Sequence, residues 1–256
     1  MKSFKIEMLL YKNIFKKKIL INSHKNFYKT YFFKNNKSFL KTSNTIKGVR
    51  KIILEKKGYQ WYLKKQKKKV KNFIKSINIK KKQAHIEFKR IEGYQLKSWA
   101  PLKLNYKKLK SFFYYYKKYL YSSNKNCCVH GDLTLDNIIF NKSNTFIIDW
   151  EFFNKKRNFR GYDLAYLYLS ALCLPYLHLK KASKYDESHF LKLWKLLSTL
   201  NVNNKILRDP FNFFESYIKK DKVFKDSLGI SKSKFFPLIT NKKYKNRVKR
   251  LICEKI

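Results

Sequence analysis

The chain has 256 residues, of which 44% are hydrophobic and 18% are aromatic, so it can bury a sizeable core. This composition excludes an intrinsically disordered protein. The formal net charge of +45 has two interpretations, a surface for an anionic partner or a compositional drift toward lysine. The drift is favoured because few of the 61 basic residues are Arg, which binds phosphate better than Lys does.

Three short segments near the N-terminus predict antiparallel strands, because each is rich in aromatic and β-branched residues alternating with polar ones. The segments are KKILINS (17–23), NFYKTYFFK (26–34) and KSFLKTS (37–43), with the polar turns HKN and NNK between them. We therefore expect a small antiparallel sheet at the start of the chain.

A long helix is predicted after the third strand, over about residues 44–65. Its two stripes at helical spacing are Ile46, Val49 and Ile53, and next to them Ile52, Glu55, Tyr59 and Tyr62. Lysine dominates residues 64–82, which we predict to be an exposed helix or loop. The segment AHIEFKRIEGYQL (84–96) predicts another strand, ending at Gly93, and a helix rich in Tyr and Lys is expected over residues 106–122.

The chain beyond Gly161 is predicted to be mainly helical, with interruptions near Pro210, Gly229 and Pro237. Its uncharged stretch, residues 164–179, is shorter than a typical membrane span, so we predict a buried core helix. The four cysteines fit no metal-ligand spacing and are expected to be thiols in a reducing compartment, which indicates the cytoplasm.

A β-hairpin is predicted in the segment NIIFNKSNTFIID, where two apolar runs flank a polar turn at residues 141–144. The expected register pairs Phe140 with Thr145 and Ile138 with Ile147. Opposed side chains on paired strands lie about 4.5–5.5 Å apart. The hairpin therefore brings Asn137 and Asp149 together at one of its ends.

These polar residues have the chemistry of a cation site. Asn137 and Asp149 offer side-chain oxygens, which are the ligands that Mg²⁺ prefers. Asp132 precedes the hairpin by a short loop and is expected near the same end. A carboxylate beside the metal, but not bound to it, can accept a proton from an attacking hydroxyl. The sequence therefore predicts a metal site with an adjacent general base.

The distribution of acidic residues supports this interpretation. Five of the 16 Asp and Glu residues lie between positions 132 and 163: Asp132, Asp136, Asp149, Glu151 and Asp163. A solvated turn whose acids balance nearby lysines is the alternative. The cation site is favoured because apolar strands flank these acids.

The motif HGDLTLDN (130–137), followed by IIDWE (147–151), resembles the catalytic segment of the aminoglycoside phosphotransferase and choline/ethanolamine kinase superfamily. The shared pattern is His-Gly-Asp, four residues, Asn, and then an Asp at the end of a second strand. The segment GYDLAYL (161–167) resembles the choline-kinase-like members of this superfamily more than the others. The resemblance implies an α+β, two-lobed protein-kinase-like fold, with a small antiparallel-sheet N-lobe (1–95) and a larger, mainly helical C-lobe (96–256).

The resemblance also implies roles for individual residues. Asp132 would be the catalytic base, and Asn137 and Asp149 would hold Mg²⁺. Three further residues would have supporting roles. His130 would brace the loop, and Asp163 would cap a helix or bind amides of the loop. Glu151 would either lie beside the metal site and support it or form a surface ion pair.

For the N-lobe, the resemblance implies a strand Lys that holds the nucleotide phosphates and a helix Glu that positions it. Lys41 and Glu55 occur in this order, and Lys34 is an alternative for the Lys. A glycine-rich phosphate loop is missing. The turn after the first strand would instead bring Ser23 and Lys25 near the phosphates.

The expected function is ATP- and Mg²⁺-dependent phosphorylation of a hydroxyl group on a small molecule, such as a sugar, an amino alcohol or a glycolipid head group. One alternative is a catalytically inactive kinase-like binding protein. Another is a basic protein that binds nucleic acid or a membrane surface, although we expect no specific nucleic acid as partner. The positive charge would also allow the enzyme itself to contact an anionic membrane surface.

Overall fold

The computed structural model describes residues 18–23, 29–33, 38–68, 72–96, 105–121, 126–141, 144–157, 160–179, 184–220 and 242–255. The chain divides into two compact units, Met1–Glu92 and Gly93–Ile256. Within the described ranges, the first unit holds an antiparallel sheet and one helix, and the second holds two small sheets and six helices. The predicted α+β class, with a sheet first and helices after it, is confirmed.

The sheet of the first unit has five antiparallel strands in the order β1-β2-β3-β5-β4. The strands are β1 (Lys18–Ser23), β2 (Lys29–Phe33), β3 (Ser38–Ser43), β4 (Ile74–Lys80) and β5 (Gln83–Lys89). The three predicted N-terminal strands are confirmed. The turns predicted between them lie outside the described residues.

Two predictions for this sheet were wrong. Part of the lysine-rich segment forms β4, where Ile74 and Ile77 pair with residues of β5. This strand lies at the edge of the sheet, where exposed lysines are tolerated and discourage pairing with other chains. The strand predicted to reach Gly93 ends at Lys89 instead, and Gly93 has a positive φ of 147°.

Helix α1 (Ile46–Lys65) packs on β3 and β5. Its first turn is capped by Thr45, whose hydroxyl accepts from the Gly48 amide at 3.1 Å. The buried residues of the helix include Val49, Ile52, Glu55, Tyr59 and Tyr62, whereas Ile46 is exposed. The predicted stripe of Ile, Glu and Tyr residues therefore faces the core of the first unit.

The second unit begins with two small antiparallel sheets. They are formed by β6 (Tyr94–Gln95), β8 (Ile138–Phe140) and β9 (Thr145–Ile147), and by β7 (Asn126–Val129) and β10 (Asn154–Arg157). The hairpin β8-β9 has the predicted register, with Ile138 opposite Ile147 and Phe140 opposite Thr145. The pairing of β7 with β10 was not predicted, and it brings the start and the end of the motif region together.

Six helices make up the rest of the described second unit: α2 (Tyr106–Tyr119), α3 (Tyr162–Leu179), α4 (Lys184–Ser198), α5 (Asn204–Arg208), α6 (Pro210–Lys220) and α7 (Lys242–Lys255). In α3 every residue from Tyr162 to Leu172 is buried, as predicted for a core helix. Among the helices in the described ranges, none has the length and apolarity needed to cross a bilayer.

Candidate active site

The candidate site is built around a short loop, residues 130–132, that follows β7. Its middle residue, Gly131, has a φ of +88°, a conformation that disfavours any side chain. A Cβ at this position would also lie 2.6 Å from the Phe152 carbonyl oxygen. Glycine therefore allows the loop to turn closely against the segment after β9.

His130 is buried and holds the loop through both ring nitrogens. Nε2 lies 2.8 Å from the Ile148 carbonyl oxygen, and Nδ1 lies 3.3 Å from the Asp132 amide. Because an amide can only donate, Nδ1 is the acceptor and Nε2 carries the proton that it donates to Ile148. Burial lowers the pKa of His130, despite the nearby carboxylate of Asp163. The imidazole is therefore neutral and acts as a brace.

Asp163, in the first turn of α3, fixes the main chain of the same loop. Its Oδ2 accepts from the His130 amide at 2.8 Å and its Oδ1 accepts from the Gly131 amide at 3.1 Å. The Tyr116 hydroxyl of α2 also donates to Oδ2, at 3.0 Å. Burial raises the pKa of Asp163, and these hydrogen bonds oppose that rise.

Asp132, the predicted base, is partly exposed at the end of the loop. Its main-chain carbonyl accepts from Nδ2 of Asn137 at 2.7 Å, and its Oδ1 accepts from the Tyr166 hydroxyl at 3.0 Å. The first bond ties the loop to the start of the hairpin, and the second ties the carboxylate to α3.

Asn137 and Asp149 lie at the same end of the hairpin, because the Ile148 amide donates to the Asn137 carbonyl at 3.0 Å. Since Nδ2 of Asn137 is turned toward Asp132, its amide oxygen is the atom that can meet a cation. Asp149 has a φ of +67°, a conformation rare for residues other than Gly. The donor set is all oxygen and fits Mg²⁺.

No group of three or more His, Cys, Asp and Glu residues that could hold a metal occurs in the described ranges. Asn137 and Asp149 are not such a group, because Asn137 carries an amide and the pair has two members. A metal held there would take its other ligands from nucleotide oxygens. Glu151 follows in the next turn and is only 6% exposed, so it does not have the environment of a surface ion pair.

In the first unit, Lys41 of β3 and Glu55 of α1 form an ion pair. Nζ lies 3.0 Å from both carboxylate oxygens, and the side chains are 12% and 2% exposed. The side chains of Ser23, Lys25 and Lys34 lie outside the described residues.

Two site residues were missed by the sequence analysis, Tyr116 and Tyr166. Tyrosines are abundant in this chain, and both lie in helices whose apolar pattern suggests core packing. A signal existed for Tyr166, which follows Asp163 by three positions and therefore shares its face of α3.

Comparisons with known proteins agree with the motif. The model of the phosphotransferase enzyme family (APH) matches residues 82–178, which include the loop, the hairpin and all of α3 except its last residue. This match confirms the resemblance inferred from the motif and supports a phosphotransferase in general. A search of curated proteins finds no significant match.

Solved structures of kinases are distantly similar to the chain. The amicoumacin kinase hAmiN in complex with AMP-PNP and Ca²⁺ is 14% identical, with 99% of this chain and 95% of that chain covered and a TM-score of 0.49. An ethanolamine kinase from Plasmodium vivax is 14% identical, with coverages of 92% and 81% and a TM-score of 0.42. The choline kinase LicA from Streptococcus pneumoniae is 13% identical, with coverages of 98% and 99% and a TM-score of 0.40. Because these likenesses are distant, we base the assignment on the motif and the family match.

Proposed function

We propose that this chain, which resembles the phosphotransferase enzyme family over residues 82–178, is an ATP- and Mg²⁺-dependent kinase for a hydroxyl group on a small molecule. The main evidence for the proposal is one observation. A carboxylate, Asp132, lies on a loop braced from two sides, and Asn137 and Asp149 lie together at the end of the adjoining hairpin. A general base beside a pair of oxygen ligands is what phosphoryl transfer requires.

In the proposed reaction, the acceptor hydroxyl donates its proton to Asp132 as its oxygen forms a bond to the γ-phosphorus. The bond between that phosphorus and the bridging oxygen breaks, and ADP leaves. The neutral His130 takes no part in proton transfer, because both ring nitrogens are engaged with the main chain.

Asn137 and Asp149 would hold Mg²⁺, which, when bound, neutralises charge on the nucleotide phosphates. Lys41 would hold the phosphates of ATP, with Glu55 keeping the ammonium in place. Ser23 and Lys25 remain proposed phosphate contacts. Glu151, which is buried, is proposed to lie beside the metal site and support it.

The acceptor is proposed to be a sugar, an amino alcohol or a glycolipid head group. The intact Asp132, Asn137 and Asp149 argue against an inactive kinase-like binding protein. Binding to nucleic acid or to a membrane surface is supported by net charge alone, and the family match does not favour it.

The experiment is an ATP-consumption screen against pooled sugars, amino alcohols and lipid head groups. Asp132→Asn serves as the blank, because it keeps the size of the side chain and removes the proton acceptor. We expect one pool to give consumption that depends on Mg²⁺ and is about 10²–10⁴-fold slower in the blank. Equal consumption by the wild type and the blank in every pool would contradict the proposal.

A further inference from the structure

Tyr166 is a buried residue of α3 whose hydroxyl touches the proposed base. It is 4% exposed, and its hydroxyl donates to Oδ1 of Asp132 at 3.0 Å. Burial and the nearby Asp132 carboxylate raise the pKa of Tyr166 well above its usual value. The phenol therefore stays protonated and remains a donor to the carboxylate.

Asp163 and Tyr166 lie three positions apart, on one face of α3. They contact successive parts of the loop: Asp163 accepts from the amides of His130 and Gly131, and Tyr166 donates to the side chain of Asp132. One helix face thus fixes both the main chain of the loop and the carboxylate at its end.

The ring of Tyr166 is itself held in place by neighbours. It lies parallel to the Tyr162 ring, with centroids 6.1 Å apart and planes 3° apart, and meets the edge of Phe214 at 6.2 Å. The position of the hydroxyl is therefore set by packing in the core. Removing the hydroxyl alone should leave this aromatic packing intact.

We propose that Tyr166 is a positioning residue for phosphoryl transfer, which orients the Asp132 carboxylate toward the acceptor hydroxyl. The proposal rests on the proposed function. A hydrogen bond from a rigid donor restricts rotation of the carboxylate, and a base held in a reactive geometry needs less reordering in the transition state. The residue would act through Asp132 and would not touch ATP.

The test compares Tyr166→Phe with the wild type in Mg²⁺-ATP turnover, measured as phosphate transferred to the acceptor that the ATP-consumption screen identifies. We expect kcat to fall about ten-fold, within the range for one hydrogen bond to a charged group, with KM for ATP unchanged. Thermal unfolding should confirm that the variant is folded. A merely structural role would lower stability without this selective effect on kcat.

Tyr168→Phe is the matched control. Tyr168 is also a buried tyrosine of α3, and its hydroxyl has no hydrogen-bond partner in the structure as described. Its removal should leave kcat unchanged. An equal fall of kcat in both variants would overturn the proposal, because any loss of a buried hydroxyl from α3 would then suffice.

A double variant tests whether Tyr166 acts through Asp132. In the Asp132→Asn background, Tyr166→Phe should lower the residual rate no further, since coupled residues are not additive. Fully additive losses, or a normal kcat in Tyr166→Phe while the wild type turns over, would overturn the positioning role alone. No turnover by the wild type with any acceptor would contradict the proposed function, and the positioning role with it.

Discussion

Two buried carboxylates support the candidate site residues, Glu55 in the first unit and Asp163 in the second, and their partners differ. Glu55 faces a charged side chain, the ammonium of Lys41. Asp163 faces uncharged donors: the amides of His130 and Gly131 and the hydroxyl of Tyr116. The comparison teaches that the first carboxylate places a side chain, whereas the second shapes a stretch of backbone.

The difference has an energetic consequence. A carboxylate and an ammonium lose much of their hydration on burial, so their pairing contributes little net stability even where it fixes geometry. A buried amide that loses its acceptor, in contrast, remains unpaired in the core, which costs about 1–3 kcal/mol for each amide. Losing Asp163 should therefore be the more damaging change to the fold.

The largest effect on stability is expected from Asp163→Ala. Three buried donors would lose their acceptor, which should lower the free energy of unfolding by at least about 3 kcal/mol, at about 1–3 kcal/mol for each donor. Activity should fall with it, because the loop that carries Asp132 would no longer be fixed. Denaturant unfolding and thermal melting measure this loss.

Asp209→Ala is the control for that prediction. Asp209 also lies at the start of a helix, α6, where it accepts from the Asn212 amide and pairs with Lys249, but its side chain is 32% exposed. Its loss should cost about 1 kcal/mol. Similar losses in the two variants would show that Asp163 has no special structural role.

A smaller loss of stability is expected at the Lys41–Glu55 pair. Lys41→Met should cost about 2–4 kcal/mol, because it leaves a buried carboxylate without its cation, and should raise KM for ATP about ten-fold or more. The double variant Lys41→Met/Glu55→Leu should recover stability without recovering ATP use. ATP kinetics and unfolding curves, recorded on both variants, separate the two effects.

Lys75→Met is the control for Lys41→Met, because it removes the Lys of an exposed ion pair. Lys75 pairs with Glu87 at 3.4 Å on the surface of the sheet, so its loss should change stability by less than about 1 kcal/mol and leave ATP use alone. Normal ATP kinetics in Lys41→Met would remove its assignment as the phosphate ligand and point to Lys34.

The smallest effect concerns pH. Because burial lowers the pKa of His130, the unfolded chain binds this proton more readily than the folded chain does. Stability should therefore fall as pH decreases below about 6.5, by at most about 1.4 kcal/mol per pH unit from this group. In His130→Gln, the difference in melting temperature between pH 7.5 and pH 5.5 should shrink. An unchanged difference would mean that His130 does not titrate on unfolding.

Much of the hairpin could be predicted from the sequence. Two apolar runs on either side of a polar turn indicate its register, and the register brings Asn137 to the same end as Asp149. Lys41 and Glu55 were identified as a pair through the family resemblance, with which the order of β3 and α1 agrees, and Lys34 was an alternative for the Lys. These features depend on neighbours close in sequence, where pattern is informative.

Other features depend on contacts that local patterns do not encode. The edge strand β4 was missed because it lies in a lysine-rich segment, where five of its seven residues are exposed and only Ile74 is buried. Tyr166 was missed because a tyrosine in an apolar helix is expected to be a core residue without a role in the site. Its contact with Asp132 is seen only in the folded structure, where the Tyr166 hydroxyl donates to Oδ1 of Asp132.

The separate roles of Asp132 and Asp149 are the central claim, and calorimetric titration of ATP with and without Mg²⁺ tests it most directly. We expect Asp132→Asn to bind Mg²⁺-ATP about as tightly as the wild type while its turnover falls about 10²–10⁴-fold. We expect Asp149→Asn to lose both tight nucleotide binding and its dependence on Mg²⁺. If Asp132→Asn abolishes nucleotide binding and Asp149→Asn retains it, the assignment of base and metal ligand is contradicted.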